Sequence, residues 1–168
     1  LLAEAATKGI VFATNSSALV LGKKNIVPQV VACIESIDVS EKLRTIPNLE
    51  QSIRAFSLSA HPNTLRVNKG PLLPIFEAIP QYSLPLEELT GVPGVNVCGS
   101  VSTAAFSLAQ KLGCSPIVLV GQDMAFTDGR TYAGGTGYES SSATFDQAGV
   151  DDSVEDFKRI VAARDSMP

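Results

Sequence analysis

The sequence lacks the short motifs that mark several common enzyme classes. It contains no G-x-G-x-x-G, G-x-x-x-x-G-K-[ST], H-E-x-x-H or G-x-S-x-G pattern. An ordinary dehydrogenase, a P-loop enzyme, a zinc protease and an α/β hydrolase each depend on one of these patterns. Tryptophan is absent, and His61 is the single histidine. His61 precedes a proline in a predicted turn without a nearby nucleophile or orienting carboxylate, so we expect it to be exposed or to serve packing.

Basic and apolar runs are equally scarce. The net charge is -4 with a pI near 5.0, and no Lys/Arg-rich run is present, which argues against a broad nucleic-acid or acidic-membrane surface. No stretch approaches the roughly 20 apolar residues that cross a bilayer. The three cysteines, Cys33, Cys98 and Cys114, have no C-x-x-C spacing, so we expect buried thiols, no metal and a cytoplasmic protein.

The 168 residues correspond to one domain, residues 1–168, which we interpret as part of a larger protein because the chain begins at Leu1. Short, continuous apolar runs alternate with helical patterns, which is typical of parallel strands covered on both faces. The fold class predicted is therefore α/β, a Rossmann-like three-layer domain with a mostly parallel sheet. The predicted strands are Ile10–Ala13, Val30–Ile34, Ala55–Leu58, Val95–Val97 and Ile117–Val120.

One helix stands out by its periodicity. Val101, Ala104, Ala105 and Leu108 recur at helical spacing, Ser100 or Ser102 can cap the start, and Gly113 can end the helix. With its flanking strands this helix predicts a right-handed βαβ unit. Further helices are predicted at Ser17–Lys24 and from Asp152. Residues 71–93 hold five of the ten prolines and predict a turn-rich connection, and residues 127–149 predict a flexible loop or lid.

Ligands of open α/β sheets bind outside the carboxyl ends of the strands. Gly99 and Ser100 either bind a phosphate at a helix start or form a tight turn with a cap. Asp123 suits a ribose, a base or a metal, and equally a turn. Asn15 and Ser16 either cap a helix or contact a ligand. The further candidates at strand ends are Thr14, Glu35 and Gln122.

The block from Cys98 to Gly135, CGSVSTAAFSLAQKLGCSPIVLVGQDMAFTDGRTYAGG, resembles the central block of the bacterial motility accessory factor family and is similar to bacterial sialyltransferases. This resemblance implies a glycosyltransferase that binds a CMP-activated nonulosonic sugar and transfers it to Ser or Thr of flagellin or another protein acceptor. It implies that Asn15 and Ser16 lie by the donor phosphate or sugar, Gly99 and Ser100 by the nucleotide and Asp123 by the ribose or cytosine. Tyr132 would donate a hydrogen bond to the departing phosphate, unless it anchors the loop beside Phe126. No metal cofactor is then required.

The sialyltransferase pattern uses a downstream histidine as general base, and no histidine follows His61. The catalytic residues are therefore unassigned. A related set of archaeal proteins with the same domain architecture transfers diphosphate from ATP to a hydroxymethylpterin, which implies Mg²⁺ and carboxylates chosen from Glu35, Asp38, Asp123 and Asp128. The Asp-x-Asp pattern expected after the second strand reads Glu35-Ser-Ile-Asp38 here, which is one residue too long. A third interpretation is a nucleotide-sugar binding domain without catalysis.

Overall fold

The computed structural model describes residues 2–67, 70–78, 80–92, 94–122 and 136, with no account of the side chains of residues 80–82. These residues belong to one compact unit that spans Leu1–Gln122 with Gly135–Gly137. The strands are β1 (Phe12–Thr14), β2 (Val30–Cys33), β3 (Ile53–Ser57) and β4 (Leu72–Ile75). The α-helices are α1 (Leu2–Ala5), α2 (Asn15–Lys23), α3 (Ser40–Arg44), α4 (Pro62–Arg66), α5 (Pro80–Thr90) and α6 (Val101–Lys111).

The four strands form a parallel sheet in the order β1-β2-β3-β4. Thr14 pairs with Ala32, and Cys33 pairs with Phe56, so the carboxyl ends of neighbouring strands lie side by side. The fourth strand continues this alignment, with Ser57 opposite Ile75. The prediction of an α/β fold with a parallel sheet is confirmed.

Both faces of the sheet are buried. Val31, Cys33 and Phe56 pack on one face with Ala18 and Leu43 of helices α2 and α3. The neighbouring residues of the same strands, such as Val30 and Ala55, point to the other face and pack with Ala104 and Leu108 of α6. This alternation explains why the strand runs are apolar throughout and confirms the three-layer arrangement.

Helices α2 and α6 have capping residues at their ends. Thr14 caps α2, because its hydroxyl accepts a hydrogen bond from Ser17 N, and the Ser17 hydroxyl accepts one from Thr14 N in return. Ser100 caps α6 by accepting from Ser102 N. Gly113 has φ 77° just past α6, where a left-handed residue ends a helix. Helix α2 begins two residues earlier than predicted.

Three expectations about the strands and the connection are wrong. Val95 forms a single parallel bridge with Glu77 rather than a strand. Residues 71–93 contain β4 and the eleven-residue α5 instead of turns alone. Ile117–Val120 forms no strand, and Val118 is 77% exposed. An apolar run becomes a strand only where a neighbouring strand pairs with it, and no described residue pairs with this run.

The cysteines also differ from expectation. Cys33 is buried, and burial raises the pKa of its thiol to about 11, so it stays neutral in the core. Cys98 is exposed and Cys114 is partly exposed, because both lie in turns that flank α6 rather than in the sheet. All three are free thiols.

Some predictions fall outside the described residues. These are the loop at residues 127–149, apart from Thr136, and the helix from Asp152. In the portion that the structure describes, no helix has the length and apolar character needed to span a membrane.

Candidate functional site

The carboxyl edge of the sheet gathers polar side chains from every strand. Asn15 follows β1, Glu35 and Asp38 follow β2, His61 follows β3, and Glu77 follows β4. Because the strands are parallel and in register, these residues emerge at the same edge. This edge is where open α/β sheets bind ligands.

Asn15 is the buried polar residue at the start of α2. It is 8% exposed, and its side-chain amide has no hydrogen-bond partner among the described residues. Among the described residues, Arg54 Nε is the single side-chain nitrogen or oxygen that is fully buried and lacks a partner. The unpartnered amide atoms of Asn15 are therefore not fully buried and still reach solvent. A largely buried amide without a partner is suited to bind a ligand.

The backbone around Asn15 adds further donors. The first-turn N–H groups of Asn15 and Ser16 have no intrahelical acceptor, whereas Ser17 N is bound by Thr14 Oγ1. Ser16 Oγ lies 3.1 Å from Thr14 Oγ1. The start of α2 therefore offers N–H and O–H donors beside the positive end of a helix, an arrangement that favours an anionic group. Capping is done by Thr14 and Ser17, which leaves Asn15 without that role.

Asp38 joins the loops that follow β2 and β3. Its Oδ2 accepts a hydrogen bond of 2.7 Å from Asn63 Nδ2, and its Oδ1 accepts one of 2.9 Å from Ser40 N. These hydrogen bonds, chiefly that from Asn63, lower the pKa of Asp38 from 3.8 to about 2. Asp38 is thus an anion at neutral pH and retains lone pairs for a cation.

His61 lies beside this carboxylate, with 3.7 Å between His61 Nδ1 and Asp38 Oδ2. The same Nδ1 accepts a hydrogen bond from Asn63 N at 3.2 Å. The expectation that no carboxylate lies near His61 is wrong, because the loop after β2 brings Asp38 to it.

A second carboxylate, Glu77, follows β4. Its Oε1 accepts a hydrogen bond from Ser59 Oγ at 2.8 Å and lies 3.3 Å from Ser57 Oγ, which is 2.7 Å from Ser59 Oγ. The backbone of Glu77 is held by the bridge to Val95. Sequence reasoning missed Ser57, Ser59 and Glu77 as well as Asn63. The strand-end rule could have found the two serines, because Ser57 ends β3 and Ser59 follows it.

Gly99 and Ser100 reach the same edge through the segment that precedes α6. That segment runs parallel to β4, as the bridge between Glu77 and Val95 shows. Gly99 has φ 73° with open space around it, and Ser100 Oγ accepts from Ser102 N. The cap interpretation of Ser100 is confirmed. No hydrogen bond or ion pair in the described chain links Ser100 to the residues around Asn15.

The remaining candidate residues lie at the end of the described range 94–122 or outside the described residues. Gln122 is exposed at the end of the described segment. Asp123, Asp128 and Tyr132 lie outside the described residues. Their predicted contacts with a ribose, a cytosine, a metal or a phosphate stay predictions.

Comparison with known protein families gives a match over most of the chain. Residues 1–129 match the family model described as "6-hydroxymethylpterin diphosphokinase MptE-like". The chain belongs to the MptE-like family. A search of curated proteins and a search of solved structures each gave no match.

Membership of the MptE-like family agrees with the predicted similarity to hydroxymethylpterin diphosphokinases. The resemblance to motility accessory factors and sialyltransferases stays a prediction, as do the CMP-sugar donor and the flagellin acceptor. Diphosphate transfer in the MptE-like family would involve Mg²⁺, so the carboxylates at the sheet edge must suit it. In the described ranges no three His, Cys, Asp or Glu side chains form a metal-binding group. Mg²⁺ bound with a nucleotide needs only one or two protein carboxylates, because phosphates and water complete its shell. The anionic, hydrogen-bonded Asp38 fits that requirement.

Proposed function

We propose that this protein transfers diphosphate from Mg²⁺-bound ATP to the hydroxymethyl group of a pterin. The observation that carries the proposal is the family match over residues 1–129. The carboxyl edge supports it, because amide donors follow β1 and carboxylates follow β2 and β4. We also infer a cytoplasmic location, where ATP is available and free thiols persist.

The reaction makes one bond and breaks one. The hydroxymethyl oxygen of the pterin bonds to the β-phosphorus of ATP, and the bond from that phosphorus to the oxygen shared with the α-phosphorus breaks. AMP leaves with that oxygen, and the hydroxyl proton passes to water. Such a transfer depends mainly on positioning the two substrates and on stabilising negative charge.

The residues around the start of α2 bind the phosphates. The Asn15 amide and the N–H groups of Asn15 and Ser16 donate hydrogen bonds to phosphate oxygens, and the helix end adds partial positive charge. The burial of Asn15 strengthens these bonds, because they form in a less polar surrounding than bulk water.

Glu35 and Asp38 hold the metal that accompanies ATP. Magnesium, when bound, neutralises charge on the phosphate oxygens. Asp38 is held in place by Asn63 and Ser40, so it presents its negative charge without rearrangement. His61 caps α4 by accepting a hydrogen bond from Asn63 N, which positions Asn63 at the start of the helix, where its side chain holds Asp38.

Calorimetric titration of the full chain with ATP, GTP and CMP, each with and without Mg²⁺, tests the proposal. We expect ATP to bind only with Mg²⁺. Asn15→Ala should weaken this binding about tenfold, the loss of roughly one hydrogen bond to a charged group. Gln51→Ala, which removes an exposed amide at the opposite, amino edge of the sheet, should leave it unchanged. CMP binding without Mg²⁺ would instead support a CMP-sugar donor, and a folded chain that binds no nucleotide would contradict both.

A further inference from the structure

The roles proposed above for phosphate and metal binding do not include Glu77. Ser59 Oγ donates to its Oε1 at 2.8 Å, and Ser57 Oγ lies 2.7 Å from Ser59 Oγ and 3.3 Å from Oε1. Each hydroxyl has one proton, so with Ser59 donating to Glu77 the shorter contact takes the Ser57 proton, and each carboxylate oxygen keeps a lone pair. The backbone on either side is also fixed, because Val95 N donates to Phe76 O at 2.7 Å and Ala78 N donates to Val95 O at 2.8 Å. A carboxylate that is positioned by side chain and backbone, with both oxygens able to accept, is oriented to pair with a planar donor.

Two large apolar side chains at the same edge are exposed to solvent. Leu58, between the two serines beside Glu77, is 51% exposed, and Ile37, in the loop that carries Asp38, is 66% exposed. The Leu58 backbone is fixed, because its N–H donates to Ile75 O at 3.2 Å. Exposed aliphatic groups beside an oriented carboxylate suit a flat ligand that has an apolar face and a polar rim.

A pterin is such a ligand. Its pyrimidinone ring carries two neighbouring donors, the 2-amino group and N3–H, which a carboxylate accepts in parallel, while the fused rings present an apolar face. We propose that Glu77 binds the 2-amino and N3–H edge of the pterin and that Leu58 packs against its ring. This inference rests on the proposed function and adds the group that selects the acceptor.

The carboxylate makes the site selective for one substituent. In 6-hydroxymethyllumazine a carbonyl replaces the 2-amino group. This places an acceptor against the carboxylate, which then loses one of the two hydrogen bonds that it accepts from the pterin. Sites built on such hydrogen bonds reject analogues that lack the donor. A glutamine in place of Glu77 accepts from N3–H through its carbonyl and donates to the 2-carbonyl through its amide, so it tolerates the lumazine.

The experiment measures binding of both fluorescent pteridines to the full chain and the release of AMP with each. We expect the wild type to prefer the pterin by about 100-fold in Kd. Glu77→Gln should reduce this preference below about tenfold and leave the Kd for Mg²⁺-bound ATP unchanged. Glu88→Gln, on the exposed side of α5, should keep the wild-type preference. Ser59→Ala, a milder change, should reduce the preference partially if Glu77→Gln proves too unstable to purify.

The outcomes separate the two proposals. If AMP is released with the pterin but Glu77→Gln and Ser59→Ala keep the wild-type preference, the pterin site is wrong and the proposed function stands. If the chain binds Mg²⁺-bound ATP and neither pteridine, the acceptor assignment and the site both fail. A chain that binds neither ATP nor pteridine contradicts the proposed function itself.

Discussion

Asp38 couples the loops after β2 and β3 through its hydrogen bonds from Asn63 and Ser40. Its folded pKa of about 2 lies below the ordinary 3.8, so the unfolded chain takes up its proton first as the pH falls. Its contribution to stability is therefore complete above about pH 4 and is lost as the pH falls through 2. Asp38→Asn should lower the melting temperature at pH 7, and the difference from wild type should narrow between pH 4 and pH 2.

Thermal melts across this pH range check the prediction. Glu88→Gln, which changes an exposed carboxylate on α5, should differ little from the wild type at any of these pH values. A difference between Asp38→Asn and the wild type that stays constant down to pH 2 would contradict the coupling of the two loops through an ionised Asp38.

Arg54 is a buried cation whose described hydrogen-bond acceptors are backbone carbonyls. It is 5% exposed, and its guanidinium donates to Val67 O at 2.7 Å, Gly70 O at 2.6 Å and Leu65 O at 3.2 Å. Burial lowers its pKa, but an arginine stays charged. Because these carbonyls lie between the end of α4 and β4, Arg54 fixes the connection between the two elements.

Arg54→Ala should cost about 3 kcal/mol of unfolding free energy, since it leaves several carbonyls without donors and opens a cavity. Urea denaturation of the variant and of Arg54→Lys measures this loss. The lysine variant should recover part of it, because an ammonium group can reach some of the carbonyls but lacks the planar fork. A loss below about 1 kcal/mol for Arg54→Ala would show that water replaces the guanidinium.

At the scale of single elements, the stability of helix α6 depends on its N-terminal cap, Ser100. Ser100 Oγ accepts from Ser102 N and lies 2.7 Å from Ser102 Oγ. Ser100→Ala should therefore lower stability by about 1 kcal/mol, and Ser100→Asp should retain most of it, because aspartate also caps helices. Equilibrium unfolding of the three proteins measures the differences. Equal stability of Ser100→Ala and wild type, with weakened nucleotide binding, would assign Ser100 to the ligand rather than to the helix.

The apolar patterns predict the elements whose two faces are both buried. Strands β1 to β3 and helix α6 follow from runs such as Val30–Ile34 and from the helical spacing after Ser100. Strand β4 does not, because it contains Pro74 and a proline-rich segment is typical of a turn. Proline is compatible with an edge strand, and β4 is the last strand of the described sheet. Helix α5 was missed for a similar reason, since Pro85 lies inside it.

The candidate site is only partly predictable because much of it joins distant parts of the chain. The rule that ligands bind at carboxyl ends of strands selects Asn15 and Glu35 from sequence alone. The contact between Asp38 and Asn63 links residues 25 positions apart, and the contact between Ser59 and Glu77 spans 18. No local pattern encodes these pairs, because each depends on which strands lie next to each other in the sheet.

At the scale of the whole molecule, the parallel sheet gives the residues that follow β1, β2 and β4 a common edge. Such an edge is compatible with more than one transfer reaction, so the fold alone does not select the chemistry. Family membership favours diphosphate transfer, and the products of that reaction distinguish it from others that consume ATP or a CMP-sugar.

Phosphorus NMR of the full chain with ATP, Mg²⁺ and 6-hydroxymethylpterin identifies those products most directly. The account predicts AMP and a pterin diphosphate ester in equal amounts, and no reaction when Mg²⁺ is removed. Release of ADP, or an unchanged ATP spectrum together with metal-independent consumption of a CMP-sugar, would contradict it.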